Sequence, residues 1–389
     1  MSKLVITRWN KRLLTALFSA GEAVELGLEE EDSILGNIYI GKVKNIVRSL
    51  NSAFVDFGEG RTGYYSLTDN PAALFADGHE GKLKAGDEIL VQVAKDAVKT
   101  KDPVLTANLN FSGKYAVLTA GKNVIGFSAK IEDKAWKEML RPKLKTLTNE
   151  AAGIIVRTNA YGQDEALLFE VAALMEEYRR VMDTARYRTC FSLLYEAKPQ
   201  YLKSLLSCPA GTLEEIVTDQ EDVYRSLDSY IRIHEPESGI GLRFYEDPMI
   251  SLTNLYALKT VMDEACRKHV WLKSGGYLVI ECTEAMVVID VNTGKYSGKR
   301  NQEDTVRMIN LEAAKEIARQ LRLRNLSGII IVDFIDMDAA EDRALLMETL
   351  KSAVKADPVK TTVVDMTPLG LVELTRKKGK KPLREQLIT

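Results

Sequence analysis

The chain has 389 residues, 46% of them hydrophobic, and its 53 basic and 55 acidic side chains leave a formal net charge of -2. That length allows roughly two to four domains with full cores, and the near-balance of charge excludes a uniformly basic polyanion binder. Basic charge is local instead: Lys95 to Lys101 holds three lysines and Arg376 to Lys381 five basic residues in six, so a phosphate backbone would meet patches of limited, salt-sensitive footprint.

The start, MSKLVITRWNKRLL, interrupts any apolar core with charge at once and does not read as a signal peptide. Residues 1–35 alternate short apolar runs (LVIT, LLTALF, AVELGL) with charged turns, which predicts strands ending at the acidic turn EEEDS. From Gly36 the texture changes to strand-length pieces cut by glycine or charge: GNIYIGKVKNIV, SAFVDFG, GRTGYYSL and DEILVQVAKDA. Roughly five short strands in about 80 residues suggest a small barrel of the OB type. On such a barrel, aromatics and lysines of one face would stack bases and meet phosphates, and Phe54, Tyr64 and Lys101 are the candidates. From spacing alone, Phe54 in the middle of an apolar strand reads as core.

Between Lys114 and Cys208 the pattern is mixed. A helical segment near Asp133–Arg141 precedes a strand, GIIVRT, and then a helix with apolar positions Leu167, Val171, Leu174 and Tyr178. Arg157 and Thr158 at the strand's end would present a guanidinium and a hydroxyl to a terminal phosphate, although a strand-end arginine more often makes a surface ion pair. Helix-like and strand-like fragments resume from Thr212 and lead to a helix expected over Leu255–His269. Residues 1–35 are too few to stand alone, so they are expected to pair with the segment after 208, making the barrel an insertion.

Two apolar runs near the C-terminal end, Met286–Ile289 and Ile329–Val332, read as buried strands, and each ends at an aspartate, Asp290 and Asp333. Between them Val306, Ile309, Ala313, Ile317 and Leu321 recur at near-helical spacing, as a crossover helix would require. Strand, helix, strand brings both carboxylates to one sheet edge, where a hard divalent ion could join them with help from Asn292. Either acid alone is more often a turn former. Glu284, on the strand before Asp290, is a further candidate for placing metal or water. Cys190, Cys208, Cys266 and Cys282 form no CxxC pair and the chain has three histidines, so no structural zinc is expected within one subunit. No apolar stretch nears the roughly 20 residues of a membrane helix. A reduced, cytoplasmic setting is the expectation.

The stretches ECTEAMVVIDVNTGKYSG and NLEAAKEIARQLRLRNLSGIIIVDFIDM, with weaker similarity through MSKLVIT, NIYIGKVKNIVRSLNSAFVDFG and GIIVRT, resemble the ribonuclease E/G family. The resemblance implies an α+β multidomain fold: a ribonuclease-H-like domain (residues 1–35 and 209–268) interrupted by an OB-fold RNA-binding domain (36–111) and a 5′-sensor domain (112–208), then a DNase-I-like catalytic domain (269–389). It implies metal-binding aspartates at Asp290 and Asp333, an assisting asparagine at Asn292 and 5′-phosphate sensing by Arg157 and Thr158. It also implies RNA contacts by Phe54, Tyr64 and Lys101, which shifts Phe54 from core to surface. The activity implied is endoribonucleolytic hydrolysis of single-stranded RNA with Mg²⁺, or Mn²⁺, leaving 5′-phosphate and 3′-hydroxyl ends, in rRNA processing and mRNA decay. The alternative is a non-catalytic RNA-binding protein. Two departures stand out. No CPxC element follows the catalytic part, so a homodimer would form without a zinc link, and Ala129 stands where the family often has a second basic residue.

Overall fold

The computed structural model describes residues 2–30, 33–97, 102–120, 123–148, 152–209, 211–234, 238–294, 302–379 and 381–388. The chain divides into two compact units, Met1–Glu31 with Ser207–Thr389, and Asp32–Leu206. Together they make an α+β multidomain protein with a closed, barrel-like sheet.

The chain begins with an antiparallel meander, β1 (Ser2–Trp9), β2 (Arg12–Ser19) and β3 (Glu22–Glu30). Its second turn, Ala20–Gly21, has positive φ at both positions, the mirror-image turn whose twist matches that of the flanking strands. Four consecutive buried residues in β1, Leu4 to Thr7, mark a strand covered on both faces.

In the second unit, β4 (Ile38–Val47), β5 (Ser52–Asp56), β6 (Thr62–Ser66), β7 (Glu88–Lys95) and β8 (Val104–Thr106) pair in the order β4, β5, β6, β8, β7, and β7 returns to β4. The ring is filled by Val43, Ala53, Val55, Tyr65, Ile89, Val91 and Leu105. Alternation then sends the intervening residues of each strand outward. Gly63 is required by the packing, because a Cβ there would stand 2.5 Å from Leu105 Cγ.

The same unit continues with β9 (Asn110–Ser112), β10 (Ala116–Ala120), β11 (Ile125–Phe127), α1 (Lys134–Thr148), β12 (Ala152–Val156) and α2 (Asp164–Ala185). The four strands form one sheet in the order β11, β12, β10, β9. Leu167, Val171 and Leu174 of α2 are buried as their spacing requires, and Tyr178 packs at the margin of the same core. Then β13 (Leu193–Tyr195) joins β4, and α3 (Gln200–Ser207) follows.

Back in the first unit, β14 (Leu213–Thr218) lies parallel to β1, and β15 (Gly241–Phe244) lies parallel to β14 after α4 (Glu221–His234). The helix expected over 255–269 is two shorter ones, α5 (Leu252–Leu255) and α6 (Leu258–Cys266). Ala257 between them has φ +46°, a conformation no α-helix continues through, and His269 already belongs to a strand.

That strand is β16 (His269–Trp271), followed by β17 (Tyr277–Cys282), β18 (Met286–Asn292), α7 (Gln302–Leu323), β19 (Gly328–Asp333), α8 (Ala340–Val354), β20 (Thr361–Met366), β21 (Leu371–Arg376) and α9 (Leu383–Ile388). The sheet order is β16, β17, β18, β19, β21, β20; only β18 and β19 run parallel, joined by α7. Val306, Ile309, Ala313, Ile317 and Leu321 of α7 are all buried. With α8 they cover one face of the sheet, built from Leu278, Ile289, Ile330, Val332, Val372 and Leu374. The two apolar runs are therefore interior to the sheet but not buried on both sides. Val288 and Ile331 are half-buried and Ile329 is 51% exposed, because they point away from α7.

Candidate functional site

Asp290 and Asp333 are register partners in the parallel pair β18 and β19. Residues opposed in this way share a face of the sheet, and both side chains are exposed on the side away from α7. Asn292, two positions beyond Asp290, falls on that face too and donates from Nδ2 to Asp290 Oδ2 at 2.6 Å. The Asp333 carboxyl is raised above the ordinary aspartate range, first by partial burial and then by the negative charges of Asp290 and Asp336. Asp336, three residues beyond Asp333 in the same motif IIIVDFIDM, is a further carboxylate whose position the apolar run alone does not mark as part of the site.

No group of three or more His, Cys, Asp or Glu side chains that could hold a metal is found among the described residues. Two carboxylates, one of them accepting a hydrogen bond from the Asn292 amide, nonetheless offer the oxygen donors that hard divalent cations prefer. The like charges of Asp290 and Asp333 repel each other, a cost that a bound cation would relieve. The residues present fit such an ion. Glu284 does not join them. It stands in the turn between β17 and β18, whereas Asp290 pairs with Val279 near the far end of the same hairpin. Four extended residues, Met286 to Ile289, lie between that turn and Asp290, with a strand run from Met286 to Asp290 of about 13 Å at the usual rise.

Arg157 follows β12, with its backbone N–H donating to the Tyr115 carbonyl at 2.7 Å. Burial lowers its guanidinium pKa, offset by the nearby negative charge of Glu170. Glu170, on α2, accepts backbone N–H bonds from Lys114, Tyr115 and Ala116 at 2.6–2.9 Å. Thr158 is exposed, and its Oγ1 lies 3.0 Å from Ser128 Oγ. A guanidinium and two hydroxyls are thus gathered within one sheet and its adjoining loops. Neither Ser128 nor Glu170 was legible in the sequence, since nothing local marks a glutamate that acts through a fold contact more than fifty residues away.

On the barrel, Phe54 and Tyr64 are directly opposed across β5 and β6, with ring centroids 6.2 Å apart and nearly perpendicular planes. Both are half-buried, while Ala53, Val55 and Tyr65 beside them point inward and are buried. Phe54 is therefore not a core residue, contrary to its apolar setting. Lys101 lies outside the described residues. Lys44, exposed on the neighbouring strand, contacts Asp56 at 3.1 Å and Thr62 at 3.0 Å. The basic run from Arg376 is less basic at the surface than its sequence suggests. Arg376 is buried and donates to Asp357, at 2.6 Å from Nε and 3.2 Å from Nη2.

These features define a class, a multidomain α+β protein with an outward aromatic pair on a closed barrel and paired carboxylates at the ends of two parallel strands. Comparison with known proteins makes the class specific: the ribonuclease E/G family matches residues 110–379. The chain is 34% identical over 386 residues to ribonuclease G of Salmonella typhimurium (strain SL1344), covering 96% of this chain and 79% of that protein. It is 33% identical over 387 residues to ribonuclease G of Haemophilus influenzae, covering 96% and 78%. It is 32% identical over 373 residues to ribonuclease E of Nostoc sp. (strain PCC 7120), covering 94% and 54%. The chain belongs to the ribonuclease E/G family, and this membership supports an RNA-cleaving nuclease function in general. No helix among the described residues is long and apolar enough to cross a membrane.

Proposed function

We propose that this chain is a metal-dependent endoribonuclease that hydrolyses single-stranded RNA to leave 5′-phosphate and 3′-hydroxyl ends, in rRNA processing and mRNA decay. The observation that carries the reading is the register pairing of Asp290 with Asp333. These two side chains would hold Mg²⁺, or Mn²⁺ in its place. When bound, the ion would polarise the scissile phosphate and lower the pKa of a water ligand. Asn292 steadies Asp290 through its amide, as an outer partner orients a ligand.

Phe54 and Tyr64 would stack unpaired bases, with Lys101 at the phosphates, which selects single strands because duplex RNA hides its base faces. Arg157 and Thr158 would receive a 5′-monophosphate and hold the RNA in register for the distant chemistry. The domain reading follows the family: ribonuclease-H-like (1–35 and 209–268), OB-fold (36–111), 5′-sensor (112–208) and DNase-I-like (269–389).

The test uses the purified chain, magnesium and a short fluorescent RNA. Asp290→Asn and Asp333→Asn should each abolish cleavage while retaining RNA binding by anisotropy. Wild-type turnover in either variant removes the proposed centre. A wild-type chain that binds RNA tightly but does not cut it in magnesium or manganese would instead be a binding protein.

A further inference from the structure

A cavity of about 310 Å³ lies where the ends of α6, β17 and α7 meet the start of α9. It stands at the turn end of the β17–β18 hairpin, away from Asp290. Four basic side chains line it, Arg267, Lys268, Arg324 and Arg384, against one acid, Glu281, which is already ion-paired with Lys268. Ile280, Leu326 and Pro382 supply apolar wall.

Arg324 is 6% exposed. Its nitrogens donate to the Gln320 side-chain oxygen, to the Arg267 carbonyl at 2.6 Å and to the Glu264 carbonyl at 3.3 Å. All three acceptors are neutral. A guanidinium carries five N–H groups, so these bonds leave donor capacity unused, and among the described residues no carboxylate is ion-paired with it. Glu316, the acid whose field reaches Arg324, is engaged by Arg319 at 2.6 Å. Cys266 and Cys282 line the same cavity, but burial raises both thiols, which keeps them protonated and without negative charge. A buried cation with no counter-charge costs folding free energy unless an anion meets it.

We propose that this cavity binds a small phosphorylated molecule, its phosphate received by Arg324 with Arg267 and Arg384 and its organic body against the apolar wall. Guanidinium forks match phosphate oxygens in pairs, and the volume is at the lower end for small-molecule sites, about 300 Å³. The site is independent of the RNA-cleaving reading and is tested apart from it.

Cys282 is exposed as a residue while its sulfur is partly buried at the cavity, so alkylation there reports on occupancy. Alkylation of Cys282 by iodoacetamide in the full chain is followed by peptide mass spectrometry, with inorganic phosphate, adenosine monophosphate, or chloride at matched ionic strength. Phosphate or the nucleotide should slow the reaction by on the order of tenfold at ten times its dissociation constant, as mass action requires. Chloride should not. Arg324→Gln risks the fold, so the deciding variant is Arg267→Gln with Arg384→Gln, both exposed side chains, which should abolish protection. Arg157→Gln should keep it. Equal alkylation in phosphate and chloride, or full protection in the double variant, overturns the site. Protection by a 5′-hydroxyl RNA oligonucleotide with phosphate and nucleotide inert also overturns it, and makes the cavity part of an RNA path.

Discussion

Asn292 and Asp290 sit two positions apart on one face of β18, and the asparagine amide donates to the carboxylate at 2.6 Å. The bond engages one carboxylate oxygen, Oδ2, of a residue whose register partner is Asp333. Loss of an outer partner of this kind typically costs about 10–100-fold in metal affinity or activity. Asn292→Ala should therefore slow RNA cleavage by roughly that factor and raise the magnesium concentration needed for half-maximal rate, with RNA affinity unchanged. A magnesium titration of initial rates checks it, and a variant with wild-type rate and metal dependence would show that the bond is incidental.

The opposed rings of Phe54 and Tyr64 predict a different pattern. Both are half-buried on the outer side of a barrel whose core lies on the other side of the same strands, so removing either ring opens no cavity. Phe54→Ala and Tyr64→Ala should each weaken single-stranded RNA binding by roughly 1–3 kcal/mol with little change in melting temperature. Anisotropy titrations and thermal melts on the same preparations separate the outcomes. A large fall in melting temperature would mean that the rings are structural.

At the third candidate cluster, Thr158 Oγ1 lies 3.0 Å from Ser128 Oγ, and Arg157 directly precedes Thr158 in the chain. A sensor should matter only when the RNA carries a 5′-monophosphate. Arg157→Ala is expected to reduce the rate on monophosphorylated RNA toward that on 5′-hydroxyl RNA, leaving the latter unchanged. Equal losses on both substrates would point to a general folding defect instead.

What could be read from the residues alone follows from the range of the interactions involved. The stripe Val306, Ile309, Ala313, Ile317, Leu321 announces α7 because helix periodicity is local, and α7 in turn forces β18 and β19 to run parallel with their terminal aspartates level. Phe54 was ambiguous because its neighbours Ala53 and Val55 are apolar, and only the alternation within a closed barrel decides which way its ring points. The four-residue apolar run at Ile329 reads as buried because it does not reveal which of its side chains face α7; Ile329 faces away from it and is exposed. Arg376 looked like part of a solvated charge run because its partner, Asp357, is nineteen positions away. Glu284 looked close to Asp290 in sequence, but the hairpin turns between β17 and β18 at that point.

Arg376 and Asp357 yield a stability prediction. The pair is almost wholly buried, with side chains 3% and 4% exposed. The Asp357 carboxylate also accepts from Thr361 Oγ1 at 3.0 Å and from the Val359 amide at 2.9 Å. Removing one partner leaves the other charge buried, a loss of about 3–5 kcal/mol. Asp357→Ala should lower the urea midpoint of the unit that contains it markedly, whereas Lys377→Ala, at an exposed neighbour, should not. Equal midpoints for the two variants would contradict the structural role assigned to Arg376.

Glu215 of β14 bridges Lys3 of β1 and Arg243 of β15, at 2.8 Å to each. Its carboxyl is held below the ordinary glutamate value of 4.5, first by the hydrogen bond from Lys3 and also by Arg243, against an opposing effect of burial. A carboxyl whose pKa is depressed in the folded state stabilises that state above the unfolded pKa, and the contribution fades as pH falls through the lower folded value. Glu215→Gln should therefore melt below the wild type at neutral pH, and the gap should close progressively once pH drops under the ordinary glutamate value. The pair is partly exposed and salt-screened, so the gap should also narrow in high salt. Melting curves from pH 7 down to about pH 3 test the sign directly, and a gap that widens on acidification would rule out the charge bridge as its origin.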